Sequence, residues 1–214
     1  MTKEEYKTYQ EKYKKQIEEI QHVAHELHMS VNEYYGDNLP YGFHLDMVAE
    51  AVGNYGHLVC VREEDVVPLF FGGYFHDSIE DTRESYNDVM RIALRWMSEE
   101  QALMATEIVY ALTNDKGRTR AERAGEKYYE GIRQTPYAPF VKLSDRLANV
   151  TYSCSKDSGK NSRRMREVYK SEMPHFLSSL KTDSDDPRLQ IPFEVVSALE
   201  EMLIDEAKRD EIRP

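Results

Sequence analysis

Cysteine is nearly absent from this chain. Only Cys60 and Cys154 carry thiols among 214 residues. They show no CxxC spacing and are too few for a disulfide framework, which excludes a disulfide-stapled scaffold. Long apolar runs are missing too. No stretch approaches the roughly 18 consecutive apolar residues that mark a membrane span. The opening Met1-Thr2-Lys3-Glu4-Glu5-Tyr6 has no apolar core of a signal peptide. Positive charge is also scarce, with 28 Lys and Arg against 39 Asp and Glu and a net charge of −11. Long-range attraction therefore cannot drive binding to nucleic acid or to an anionic membrane. A small anionic substrate needs only a local gathering of basic groups. These absences lead to the expectation of a reduced, cytoplasmic, soluble protein with neither nucleic acid nor membrane as partner.

What is present argues for an ordered helical core. The apolar share is 40% and the charged share 31%, yet 15 Tyr and 7 Phe give ample surface to bury. Apolar spacing predicts a long helix over 3–28, with Ile17, Ile20, Val23, Ala24 and Leu27 on one stripe. Residues 35–42 read as a loop by turn chemistry. A second helix follows, on which His44, Met47, Val48, Ala51, Val52 and Tyr55 recur at helical period. Asp65 is the expected cap of a third, with Pro68 in its first turn. From Leu69 to Phe75 that helix is apolar on nearly every side, the mark of an interior segment. Val89, Ile92, Ala93 and Trp96 mark another helix, and Ser98 with Gln101 forms a capping box opening the next, through Leu112. Helices are expected over 120–133 and 140–153, with Pro136 and Pro139 as the interruption, then over 161–179 and 193–208. No alternating strand pattern or repeat is visible. The fold class is therefore all-α, a compact multi-helix bundle. Residues 1–180 form its domain, and 181–214 a C-terminal helical extension packed on it.

The chemistry concentrates at His76-Asp77-Ser78-Ile79-Glu80-Asp81-Thr82. On a continuous helix His76 lies over Glu80 and Asp77 over Asp81. Three carboxylates this close repel one another, and taking each from water costs several kcal/mol. A cation resolves both problems; the alternative is a helix that emerges into solvent with acids decorating its end. His44 opens the apolar stripe of its own helix, where a lone histidine is commonly a satisfied core residue. In Lys142-Leu143-Ser144-Asp145-Arg146-Leu147-Ala148-Asn149-Val150, Leu143, Leu147 and Val150 share one face. Asp145 and Asn149 share another, flanked by Val141 and Ala148. A buried Asp is rare unless paired or coordinated, and pairing with an arginine is the alternative to a metal. Two imidazoles and two carboxylates suit a transition metal better than an all-oxygen cage. Glu80 and Asp81, beside such a metal, are placed to orient a water and manage its proton.

The order His44 … His76-Asp77 … Asp145 resembles the H…HD…D signature of HD-domain phosphohydrolases. More narrowly, "HDSIEDT", "FVKLSDRLANV" and "PYGFHLDMVAE" are similar to three motifs of the RelA/SpoT-type alarmone hydrolases. "ALTNDKGRTRAER" is similar to a stretch of their stand-alone members. The likeness spans about residues 33–180 in the right order. It implies the HD-domain fold and a manganese-dependent hydrolase of the 3′-pyrophosphate of guanosine tetra- or pentaphosphate. Carried over, the metal ligands are His44, His76, Asp77 and Asp145, the catalytic pair is Glu80 and Asp81, and Asn149 is the motif's asparagine. The family's Arg-Lys before the first histidine is replaced here by Tyr35 and Gly36, and the proline after it by Leu45. Tyr35 is the candidate to stack on a base instead.

Phosphates need donors. Lys116, Arg118, Arg120 and Arg123 on a polar connector, Lys142 and Arg146 beside Asp145, and Arg164 with Tyr169 further on are the candidates. Arg120 and Arg164 are preferred; for any one of them a solvated surface charge is the plainer explanation. Two rival functions stand beside the guanosine substrate. One is an HD-type hydrolase of another nucleotide, such as ppApp, NADPH at its 2′-phosphate, or a nucleoside phosphate. The other is a catalytically inactive scaffold that binds a nucleotide.

Overall fold

A computed structural model of the chain describes residues 1–36, 38–114, 119, 122, 125–155 and 160–204. Its helices are α1 (Lys3–Lys12), α2 (Lys14–Ser30), α3 (Gly42–Tyr55), α4 (Val66–Phe75), α5 (Ser78–Asp81), α6 (Tyr86–Ala93) and α7 (Glu99–Leu112). They continue with α8 (Glu126–Gln134), α9 (Ala138–Cys154), α10 (Lys160–Leu180) and α11 (Phe193–Leu203). A two-residue hairpin, β1 (Tyr34–Tyr35) and β2 (Leu39–Pro40), precedes α3, pairing Tyr34 with Pro40 and Tyr35 with Leu39. The all-α expectation holds, and this hairpin is a small addition that begins one residue before the predicted loop and lies otherwise within it.

Polar side chains set where several helices begin. Thr2 with Glu5, Ser85 with Asp88 and Ser98 with Gln101 each close a capping box, satisfying backbone donors that a helix start leaves orphaned. The long first helix is in fact two. Tyr13 leaves helical geometry at φ −100°, ψ 9°, and its hydroxyl donates to Glu63 at 2.7 Å. Pro139 starts α9 rather than interrupting it, because a first-turn proline lacks only an N–H that has no helical partner.

All ten residues of α4 are buried. Helices α2, α3, α7 and α9 pack around it, and α9 also packs on α3 and α11. Phe71 and Phe75, one turn apart, stack at 4.1 Å; truncating either to alanine costs about 3–5 kcal/mol. Gly72 makes the crossing with α7 close, since a Cβ there lies 2.7 Å from the Ile108 side chain. Among the described residues no helix is long and apolar enough to cross a membrane.

Asp65 is not the cap its position suggested. It makes no capping bond and is fully buried. It accepts two bonds from the Arg62 guanidinium, at 2.7 and 3.2 Å, and one from the Tyr137 hydroxyl at 2.6 Å. A buried carboxylate takes the strongest donors in reach, and a guanidinium outranks backbone amides. The network ties the start of α4, which leads into His76 and Asp77, to the start of α9, which carries Asp145.

Candidate metal centre

Helix α4 does not run on through the His76–Asp81 segment. It stops at Phe75, His76 and Asp77 form a turn, and α5 restarts at Ser78. The expected stacking of His76 over Glu80 on one helix is therefore replaced by a break. The His76 ring folds back so that Nδ1 bonds the Gly73 carbonyl at 2.9 Å, and Nε2 faces His44 and Asp145.

Three segments distant in sequence meet at this point. The His44 and His76 Nε2 atoms are 3.3 Å apart. Asp145 Oδ1 lies 3.4 Å from the first and 3.9 Å from the second. The circle through these three atoms has a radius of about 2.1 Å, which is the bond length of a zinc-like divalent ion to imidazole or carboxylate. Two ring nitrogens facing each other at 3.3 Å share at most one proton, and a cation satisfies both lone pairs. The Gly73 carbonyl fixes the tautomer that leaves His76 Nε2 free to coordinate. Both histidines and Asp145 are buried. The residues present fit a divalent metal.

Asp77 stands at the side of this triad. Its Oδ2 is 2.8 Å from His76 Nε2 and 3.8 Å from His44 Nε2, and it accepts from the Tyr41 hydroxyl at 2.5 Å. Among the described residues Asp145 pairs with no arginine. Lys142 Nζ bonds its Oδ2 at 3.0 Å and Asn149 Nδ2 its Oδ1 at 2.5 Å, while Arg146 pairs with Glu172 at 3.0 Å. Tyr35 donates to Asn149 Oδ1 at 2.9 Å and lies parallel to the His44 ring at 4.8 Å. One face of Tyr35 is thus already covered by a histidine.

Charge in this small volume displaces the protonation equilibria. Burial alone lowers the His76 pKa, but the Asp77 and Asp145 carboxylates outweigh it and push it up to about 9. Burial raises the Asp77 carboxyl, and the His76 and His44 rings more than reverse this, holding it below the carboxylate range. Asp145 is likewise held low against its burial, by Lys142 first and the two histidines next. Asp81 is pushed up to about 7 by burial, then by the charges of Asp77 and Glu80. Burial and the Asp77 charge keep the Tyr41 phenol protonated, and burial lowers His28 to about 4.

His44 and Asp145 open onto a cavity of about 560 Å³, lined also by Tyr35, Tyr41, Asp77, Glu80 and Asp81. The lining also includes Tyr128, Arg146, Asn149, Tyr169, Glu172 and His175, and the volume is within the range of small-molecule sites. Glu80 is anchored by the Asn114 side chain at 2.9 and 3.1 Å. The Arg146 guanidinium lies between the Tyr169 and Phe176 rings, at 4.8 and 4.3 Å. Arg164 is exposed on α10 and is not among the lining residues. Lys116, Arg118, Arg120 and Arg123 lie outside the described residues. Sequence reasoning missed Tyr41, Tyr128, Asn114, Glu172 and His28. Tyr41 sits inside a quoted motif, but no spacing rule singles it out.

No protein-family model matches the chain. Its fold is similar to a solved structure described as a metazoan ortholog of SpoT that hydrolyzes ppGpp and plays a role in starvation responses. The sequences are 18% identical, the match covers 90% of this chain and 94% of that one, and the TM-score is 0.61. At that identity the likeness is one of fold.

Proposed function

We propose that the chain is a divalent-metal-dependent phosphohydrolase that removes the 3′-pyrophosphate of guanosine tetra- or pentaphosphate. Water and the nucleotide give GDP or GTP and free pyrophosphate. His44, His76, Asp77 and Asp145 hold the cation, with manganese as the expected ion. The observation that carries this reading is the triad of donor atoms spaced for one divalent ion, at the floor of a nucleotide-sized cavity. The fold shared with a protein described as hydrolyzing ppGpp supports the choice of substrate.

A bound divalent ion lowers the pKa of a coordinated water and polarises a phosphoryl oxygen. The chain's own residues do the rest. Asp81, protonated more readily than an ordinary carboxyl, takes the proton of the attacking water and returns one to the leaving oxygen. Glu80, fixed by Asn114, orients that water. Lys142 and Arg146 supply positive charge from α9, and Asn149 and Tyr169 line the path to them. The scissile bond joins phosphorus to the ribose 3′-oxygen, and that oxygen leaves with the proton.

Tyr35 and Gly36 favour a second reading, an HD-type hydrolase of another nucleotide. Gly36 has φ +58°, and a Cβ there lies 2.3 Å from the Tyr152 hydroxyl, so no lysine fits at this position without a shift. The experiment is a panel of ppGpp, ppApp, NADPH and simple nucleotides with Mn²⁺, with Asp77→Asn as control. Pyrophosphate released from ppGpp alone supports the first reading. Orthophosphate, or a preference for another member of the panel, supports the second. A protein purified without stoichiometric metal and inert on the whole panel is an inactive scaffold.

A further inference from the structure

Tyr41 has no part in the reaction just described, yet it touches the metal site from below. Its carbonyl accepts from the His44 and Leu45 amides at 2.9 and 3.3 Å, which makes it part of the first turn of α3. Tyr41 and His44 therefore move as one body. Its ring meets the His44 ring edge-on at 5.4 Å, and its hydroxyl donates to Asp77 Oδ2 at 2.5 Å. A carboxylate turns easily about its last torsion. Asp77, in the turn after α4, caps α5, its carbonyl accepting from the Asp81 amide at 2.8 Å, so its backbone is fixed while its side-chain torsion is set by His76 and Tyr41. The Tyr41 hydroxyl links that turn to the helix that carries His44.

Beneath Tyr41 lies His28, near the end of α2. It is 1% exposed, and neither ring nitrogen has a hydrogen-bond partner among the described residues. Burying an unpartnered imidazole is unfavourable, and a phenylalanine of similar shape avoids that cost. Its ring lies parallel to Tyr41 at 4.5 Å, with 11° between the planes. Flat stacking against one face keeps the phenol from swinging toward α2 and leaves its hydroxyl beside Asp77.

We propose that Tyr41 is a positioning residue, held flat by His28, whose hydroxyl aims Asp77 Oδ2 at the ion bound by His44, His76 and Asp145. The inference rests on the metal-site reading above and adds to it the outer-shell group that sets one ligand. Partners of this kind are worth about 10–100-fold in metal affinity.

The test is Mn²⁺ binding by calorimetry to the wild-type chain and to Tyr41→Phe, His28→Phe and His28→Ala, with thermal unfolding of each in chelator. Tyr41→Phe keeps the ring stack and loses only the hydroxyl. It is expected to bind Mn²⁺ about 10–100-fold more weakly, with unfolding in chelator shifted far less than its loaded form. His28→Phe keeps a flat ring under Tyr41 and is expected to bind as wild type. His28→Ala removes the stack and is expected to fall between the two. If wild type binds Mn²⁺ and Tyr41→Phe binds it equally well, the positioning role is overturned while the metal site stands. If wild type takes up no Mn²⁺, the metal reading fails and this inference falls with it. An equal loss in His28→Phe and His28→Ala refutes the stacking half and leaves the hydroxyl.

Discussion

Metal and proton compete for His76, and the competition has a calculable pH dependence. The imidazole is pushed up to about 9 against its burial by Asp77 and Asp145, whereas both carboxylates are held low and bring no proton to displace. At pH 7 a metal must therefore expel close to one proton from His76. Raising the pH removes that proton beforehand, so apparent affinity climbs until about pH 9 and then levels. Between pH 7 and 8.5 the gain is about 20-fold, near 2 kcal/mol, whereas a histidine at 6.5 gives less than about 1.5-fold. The metal-free protein shows the opposite trend. A group whose pKa is raised by folding adds stability that is fully present below its unfolded value, near 6.5, and is lost as pH rises through about 9. Calorimetric titration with Mn²⁺ at pH 7.5, in two buffers of different ionisation enthalpy, counts the protons released. Affinity flat across pH 7 to 8.5, with no proton released, refutes the reasoning.

Tyr137→Phe removes a 2.6 Å bond to the fully buried Asp65. It is expected to cost about 2–3 kcal/mol, or roughly 4–12 °C in Tm for a chain of this size; a fall under about 2 °C in thermal denaturation shows that Arg62 alone satisfies the acid. Asp81→Asn is expected to lower kcat about 10²–10⁴-fold with metal content unchanged. Metal analysis of the purified variant decides between roles, since loss of metal together with activity makes Asp81 a ligand. Gly36→Ala forces a Cβ against the Tyr152 hydroxyl at φ +58°. Because Tyr152 lies 4.9 Å from Tyr35, KM is expected to rise several-fold for the preferred nucleotide, and an unchanged KM removes the hairpin from the binding surface.

The helices were legible because their signals are local. Thr, Ser, Asp and Glu at fixed offsets cap a helix wherever it lies, and the ten apolar residues from Val66 to Phe75 have no stable place but an interior. The break at Tyr13 and the tiny hairpin at Tyr34–Tyr35 were not legible, since a hydroxyl reaching Glu63 and a glycine pressed against Tyr152 are contacts across the fold. The sequence also marked the polar residues out of place on apolar faces, His44, His76 and Asp145. It left open whether Asp145 met a metal or an arginine.

Only the tertiary structure decided what those residues face. Periodicity says on which side of its own helix a group lies, while the crossing of α3, α4 and α9 sets the distance between groups on different helices. That crossing brought His44, His76 and Asp145 within 4.8 Å of one another, while the packing of α10 on α9 gave Arg146 its partner Glu172. The crossing also aimed Tyr41 at Asp77, and the packing of α2 on α3 laid His28 against Tyr41. Residue type and spacing fix the chemistry a chain has available, and the packing of its helices fixes which of those groups meet.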